Sequence, residues 1–206
     1  MDTVERVAVL GSGPFGRQVA GMLERCHPGV ELRSGEGTYT DEDPCAAFDG
    51  TVDAVVIALW RPAPALCEEA DRLAHETGTP WLPVVDGYPY LVIGPWVVPG
   101  AGPCLRCHVP RHGEDLAEPP HGHGPAGPVP YGARIAGGIV LSRLQRPDRA
   151  AGRVIRVSLR DLSVSCDTVV PRPDCDRCGG GPGTTGLRAV PRPATAAERA
   201  GSDDGR

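Results

Sequence analysis

Lysine is missing from this chain: all 21 basic residues among its 206 are arginines. Any mechanism that needs a lysine as nucleophile or on a triphosphate is therefore closed to the chain acting alone. Also missing is an apolar run near the ~18 residues that would cross a bilayer, and the N-terminus does not read as a signal peptide. No cluster of basic residues stands out and the net charge is −5, which argues against nucleic acid as the main partner. These absences predict a soluble, cytoplasmic protein that binds neither nucleic acid nor membrane. The Arg, Gly, Pro and Ala bias is also what a GC-rich genome imposes, so it says nothing about function.

Cysteine, by contrast, is plentiful, with eight residues. Two of them end the stretch I-G-P-W-V-V-P-G-A-G-P-C-L-R-C, from Ile93 to Cys107, as the C-x-x-C pair Cys104 and Cys107. A second pair, Cys175 and Cys178, lies in P-R-P-D-C-D-R-C-G-G. Two thiolates three residues apart can grip one metal from a tight turn, and two such turns supply the four soft ligands of a tetrahedral zinc site. The pairs are separated by residues 108–174, so a shared metal would join distant parts of one domain rather than make a compact finger. Four sulfurs leave no position for water, which predicts a structural zinc with no catalytic role. The alternative is four unrelated reduced thiols. A disulfide framework fits less well, because core strands and helices lie between the pairs.

Taken in order, the chain predicts a strand over Val4–Leu10 running into G-S-G-P-F-G, then a helix from Gln18 to Arg25. Strand, glycine turn and helix in that order predict a Rossmann-like α/β fold. In that pattern Gly11 permits the turn, Gly13 allows close backbone approach and Gly16 lets helix pack on strand. Gly11, Gly13 and Gly16 are therefore the candidate nucleotide-binding residues, with packing alone as the alternative. Neither Glu31 nor Glu36 sits convincingly at a strand end to meet a ribose. Further expected elements are a short strand at Val30–Arg33, a central strand at Val52–Trp60, a helix at Pro64–Thr77 ending at Gly78, and strands at Trp81–Val85 and Tyr90–Val98. His108–Pro130 reads as a crossing loop, Tyr131–Leu144 as a helix, and Val154–Leu159 with Leu162–Val170 as a hairpin. Cys45, Cys67, Cys166, His75, His121 and His123 are read as ordinary side chains rather than ligands or nucleophiles. The expected organisation is one domain over residues 1–178, with a disordered tail over 179–206.

The glycine turn, the phrase G-P-x-x-x-P-G-x-G-P-C-x-x-C and the hairpin ending in P-x-C-x-x-C together resemble the E1-like superfamily. The closer likeness is to the ThiF-like partner proteins of azoline-forming cyclodehydratases, which serve biosynthesis of thiazole/oxazole-modified microcins. The resemblance implies an E1/ThiF-type sheet with a structural zinc on Cys104, Cys107, Cys175 and Cys178. It implies no catalytic residue on this chain, a YcaO-type cyclodehydratase as partner and a ribosomal precursor peptide as cargo. It also leaves a homodimer open. Fuller members carry an N-terminal winged-helix leader-binding module. Here the first strand begins at Val4, so a separate leader-binding protein is expected. Adenylating members follow the strand matching Val52–Trp60 with an aspartate that helps hold magnesium nucleotide, whereas this chain has Trp60, Arg61 and Pro62. With no lysine for the triphosphate, ATP is not expected on this chain. The competing readings are an ATP-dependent adenylating E1-like enzyme and an NAD(P)-dependent oxidoreductase. For the latter, no acid–base pair suited to hydride transfer stands out.

Overall fold

The computed structural model describes residues 4–33, 44–108, 130–146 and 151–179. The readings that concern Glu36, His121, His123, most of the crossing loop and all but the first residue of the tail lie outside these residues. The first strand, β1 (Val7–Ser12), is completely buried, and α1 (Gly13–Cys26) follows it without a linker. The glycine turn is thus itself the first turn of the helix, which starts five residues before Gln18. Pro14 fits there because an N–H at that position would have no helical partner. Next come β2 (Val30–Leu32), a 3-10 turn at Pro44–Ala47, β3 (Ala54–Leu59), α2 (Pro64–Thr77) and β4 (Trp81–Gly87). Helix α2 ends as expected at Gly78, whose left-handed φ of 74° closes it.

Strand β5 (Tyr90–Ile93) is shorter than the strand expected over Tyr90–Val98. Gly94, at φ 109°, turns the chain so that a Cβ there would stand 2.4 Å from the Arg153 carbonyl oxygen, and Pro95 then offers no donor. Trp96 and Val97 keep only isolated bridges, to Ala151 and Trp81. The chain continues through the four-residue helix α3 (Leu105–His108), the helix α4 (Pro130–Leu144) and the hairpin β6 (Arg153–Ser158) and β7 (Val164–Thr168).

All seven strands form one mixed sheet in the order β2-β1-β3-β4-β5-β6-β7. The pairings from β2 to β4 are parallel and those from β4 to β7 antiparallel. Buried apolar runs such as A-V-V-I-A-L in β3 suit a strand covered on both faces. One face packs Val9, Val56, Leu82 and Ile93 against Phe15, Val19 and Leu23 of α1 and Ala136 and Val140 of α4. The other packs Leu10, Ile57, Leu59 and Trp81 against Cys67, Ala70 and Leu73 of α2. Each fully buried large side chain contributes roughly 1.5–3 kcal/mol. At the crossing of α1 and α4, a Cβ on Gly137 would stand 2.6 Å from Met22 Sδ, so a larger residue there would force the Met22 side chain to move. Among the described residues, no helix is long and apolar enough to cross a membrane.

Candidate metal centre

The two C-x-x-C turns, far apart in sequence, meet beside Glu68 and Asp71 in the middle of α2. In the first turn, the Cys107 N–H donates to the Cys104 carbonyl at 3.1 Å and α3 begins between the two cysteines. In the second, the Gly179 N–H donates to the Cys175 carbonyl at 2.7 Å. The hairpin β6–β7 delivers this second turn: the Val169 N–H, just after β7, still reaches the Gly152 carbonyl at 2.8 Å.

The four Sγ atoms of Cys104, Cys107, Cys175 and Cys178 lie within 4.8 Å of one another. Three of the sulfur separations are 3.9 Å (Cys104–Cys107), 3.5 Å (Cys104–Cys175) and 3.3 Å (Cys107–Cys178). Zinc–sulfur bonds of about 2.3 Å in a regular tetrahedron place sulfurs about 3.8 Å apart. Disulfide bonding at about 2.05 Å is far shorter than any of these distances. The cluster therefore fits a four-coordinate metal and not a pair of disulfides. The Arg172 N–H points at Cys107 Sγ (3.3 Å) and the Cys104 N–H at Cys178 Sγ (3.4 Å), contacts that favour thiolate over thiol. Burial raises the Cys178 thiol to about 11, and burial raises that of Cys104 as well. At Cys175 burial is outweighed by the N–H groups of Cys178 and Arg177, which bring the thiol down to about 6.

Around the sulfurs is a layer of charge that the cysteine spacing does not reveal. Both turns carry arginine just before their second cysteine, C-L-R-C and C-D-R-C, and both arginines reach back to α2. Arg106 donates to Glu68 Oε1 through Nε (2.8 Å) and Nη2 (2.6 Å), and to Asp176 through Nη1 at 2.7 Å. Arg177 donates to the same Glu68 oxygen (2.9 Å) and to Asp71 Oδ2 (2.6 Å). Burial works against ionisation of Glu68, but the two guanidiniums outweigh it and hold the carboxyl below its ordinary range. Asp71 is fully buried; its Oδ1 accepts from the Leu105 N–H (3.0 Å) and from the Trp81 indole N–H (3.3 Å). One carboxylate thus joins α2, β4 and both cysteine turns.

The glycine turn occupies the other candidate position, between β1 and β3, where the strand order reverses and open α/β sheets take ligands. A Cβ on Gly11 would stand 2.6 Å from the Gly16 carbonyl oxygen, and one on Gly16 would stand 2.3 Å from that of Ala58. These two glycines set how closely helix meets sheet. At Gly13, φ is 64° and an added Cβ would stand 2.3 Å from Trp60 Cδ1. The close approach that Gly13 permits is therefore made by the chain's own indole, with Arg61 stacked 5.2 Å from the ring centroid. Gly13→Ala should cost about 1–3 kcal/mol, from its positive φ and the collision with Trp60, as read by chemical denaturation.

The structure brings the four predicted cysteines together, while the three glycines lie at a separate place. Cys67 is buried, where desolvation lifts its thiol to about 12, and Cys166 lies exposed on β7. His75 is partly buried, and its Nδ1–H donates to the Asp71 carbonyl at 2.8 Å. One acid unmarked in the sequence, Asp86 near the end of β4, has Oδ1 buried without a partner among the described residues, and desolvation raises its carboxyl to about 6.

No protein family matches the sequence, and no curated protein does. Solved structures do resemble the fold. A heterocyclase in complex with substrate and cofactor aligns with a TM-score of 0.62 at 16% identity, over 85% of this chain and 25% of that one. The heterocyclase TruD aligns at 0.57 and 18% identity, over 86% of this chain and 28% of that one. For E. coli MccB with MccA the values are 0.60 and 13%, over 85% of this chain and 66% of MccB. Identities this low establish likeness of fold alone. This chain spans only 25% and 28% of the two heterocyclases.

Proposed function

We propose that this chain is an E1/ThiF-like, zinc-stabilised component of a peptide cyclodehydratase. In this reading residues 1–178 form one Rossmann-like domain and 179–206 a tail. The chain helps present a ribosomal precursor peptide to a YcaO-type partner in the cytoplasm. The partner closes Cys, Ser or Thr side chains onto the preceding carbonyl to form azolines. The observation that carries the reading is the fold likeness to heterocyclases over 85% of the chain. Cys104, Cys107, Cys175 and Cys178 would hold zinc with every coordination position filled, so the metal supplies rigidity and not a reactive water. The chain would act by placement, raising the effective concentration of the core peptide at the partner's site.

Reconstitution tests this. The isolated chain should neither hydrolyse ATP nor change the mass of a precursor peptide. With partner and precursor present, each ring should appear as the loss of one water, and omission of this chain should slow ring formation by about 100-fold or more. Equal cyclisation without it would show that the chain is not a presenting component.

A second reading, an adenylating enzyme, is favoured by one observation: E. coli MccB, which shares the fold, has been seen with ATP. Against it stand the missing lysine and the indole of Trp60 on Gly13. ATP should give no thermal shift, because a ligand stabilises only the state it binds. Saturable micromolar ATP binding to the isolated chain would move the assignment to adenylation.

A further inference from the structure

Arg17, Gly21 and Arg25 recur every four residues along α1, a spacing that puts them on one side of the helix. Together with Gln18, Met22 and Arg134 of α4 they line a groove of about 670 Å³ between the two helices. All three arginines are exposed. Among the described residues none of them is in an ion pair, whereas Arg72, Arg106 and Arg177 beside the metal centre are each matched to acids. Glu24, the one acid of α1, is not part of the lining, and α4 carries no acid. Among the described residues, a chain with net charge −5 thus keeps three guanidiniums in one groove without an acid beside them.

We propose that this groove docks an acidic stretch of peptide chain. The planar fork of each guanidinium matches a carboxylate with two parallel hydrogen bonds, giving direction as well as charge. Absence of a side chain at Gly21 leaves the floor low; a Cβ there would stand 3.4 Å from the Arg25 guanidinium. Met22 offers an adaptable apolar surface for a side chain between the acids, and the Gln18 amide can pair with peptide backbone. Single-stranded nucleic acid fits less well, since among the described residues no aromatic side chain lines the groove to stack a base. Nor does a second copy docked groove to groove, because a two-fold axis would set arginines against arginines. The inference does not rest on the cyclodehydratase reading: it concerns binding by the chain alone, which ring formation does not measure.

Fluorescence anisotropy with the full chain tests it, using a labelled peptide of alternating Glu and Leu. The matched Gln/Leu peptide and a single-stranded oligonucleotide of equal charge serve as comparisons. The Glu/Leu peptide should bind, more weakly as salt is raised, and the double variant R17E/R134E should lose about tenfold or more in affinity. R153E, at an exposed position on β6, should leave binding unchanged. Unchanged metal content and melting temperature would show that R17E/R134E still folds. No binding of the acidic peptide, equal binding of the Gln/Leu peptide, or equal loss with R153E would overturn the proposal. So would tighter binding of the oligonucleotide that R17E/R134E abolishes, which would give the groove to nucleic acid.

Discussion

Protein purified without added metal is expected to carry about one zinc per chain, and a strong chelator should destabilise it by several kcal/mol. Apparent zinc affinities in small zinc domains correspond to about 10–16 kcal/mol, because no preformed site exists in the unfolded chain. Here the two large apolar layers on the sheet contain none of the four sulfurs, so only part of that energy should appear as lost global stability. Its share is still large. The apolar cluster around the second cysteine turn consists only of Cys104, Cys107 and Val169 beside its own Cys175 and Cys178, so without metal it has no apolar core of its own. Cys104→Ser and Cys178→Ser should each reproduce the effect of the chelator. Thiol titration gives an independent readout. In metal-loaded protein the reactive thiols should come from the exposed Cys26, Cys45 and Cys166, and chelation should release four more. Lowering the pH should act as the chelator does, since protons compete with the metal for the sulfurs. Metal-free protein of unchanged stability, or thiol counts that ignore the chelator, would remove zinc from the description of this fold.

The clustering of Cys104, Cys107, Cys175 and Cys178 was the most legible part of the chain because its signal is local. Two C-x-x-C spacings are enough to nominate four ligands, even with most of a domain between them. β1, β3 and α2 were legible for a related reason: uniform apolar runs and flanking Pro64 and Gly78 act over a few residues. Errors arose where the local pattern was right and a distant backbone overrode it. Tyr90–Val98 is an apolar run like a strand, yet Gly94 turns away against the Arg153 carbonyl, which belongs to β6. G-S-G-P-F-G gives the turn and the packing of Gly11 and Gly16, but not that Trp60 would stand on Gly13. Only the parallel pairing of β1 with β3, Ser12 opposite Leu59, puts that indole there. Asp71 was the least legible of all. Within P-A-L-C-E-E-A-D-R-L-A-H-E-T it is one of several acids on an exposed-looking helix, and its partners Trp81, Leu105 and Arg177 come from three other elements.

That carboxylate is the single position where replacement should do most harm without touching a ligand. Asp71→Ala should lower the stability of metal-loaded protein by about 3–5 kcal/mol, the usual result of removing one member of a buried ion pair. It strands the Arg177 guanidinium, whose side chain is only 11% exposed, with half-exposed Glu68 as its remaining acid. It also leaves the Leu105 N–H and the Trp81 indole N–H without their acceptor. Asp71→Asn should be milder, because an amide oxygen can still accept from Leu105 and Trp81 while Arg177 keeps only Glu68 as its acid. Since Leu105 lies between Cys104 and Cys107, and Arg177 between Cys175 and Cys178, the same carboxylate contacts both cysteine turns of the proposed zinc site. Loss of such an outer partner typically weakens metal binding about 10–100-fold. Competition against a chelating dye should therefore rank wild type above Asp71→Asn and Asp71→Ala last, with chemical denaturation giving the same order. Glu69→Ala, on the same helix and half-exposed, should change neither by more than about half a kcal/mol. If Asp71→Ala matched Glu69→Ala in both measurements, the two cysteine turns would be held to the sheet by the metal alone, and the buried carboxylate would have no part in the site.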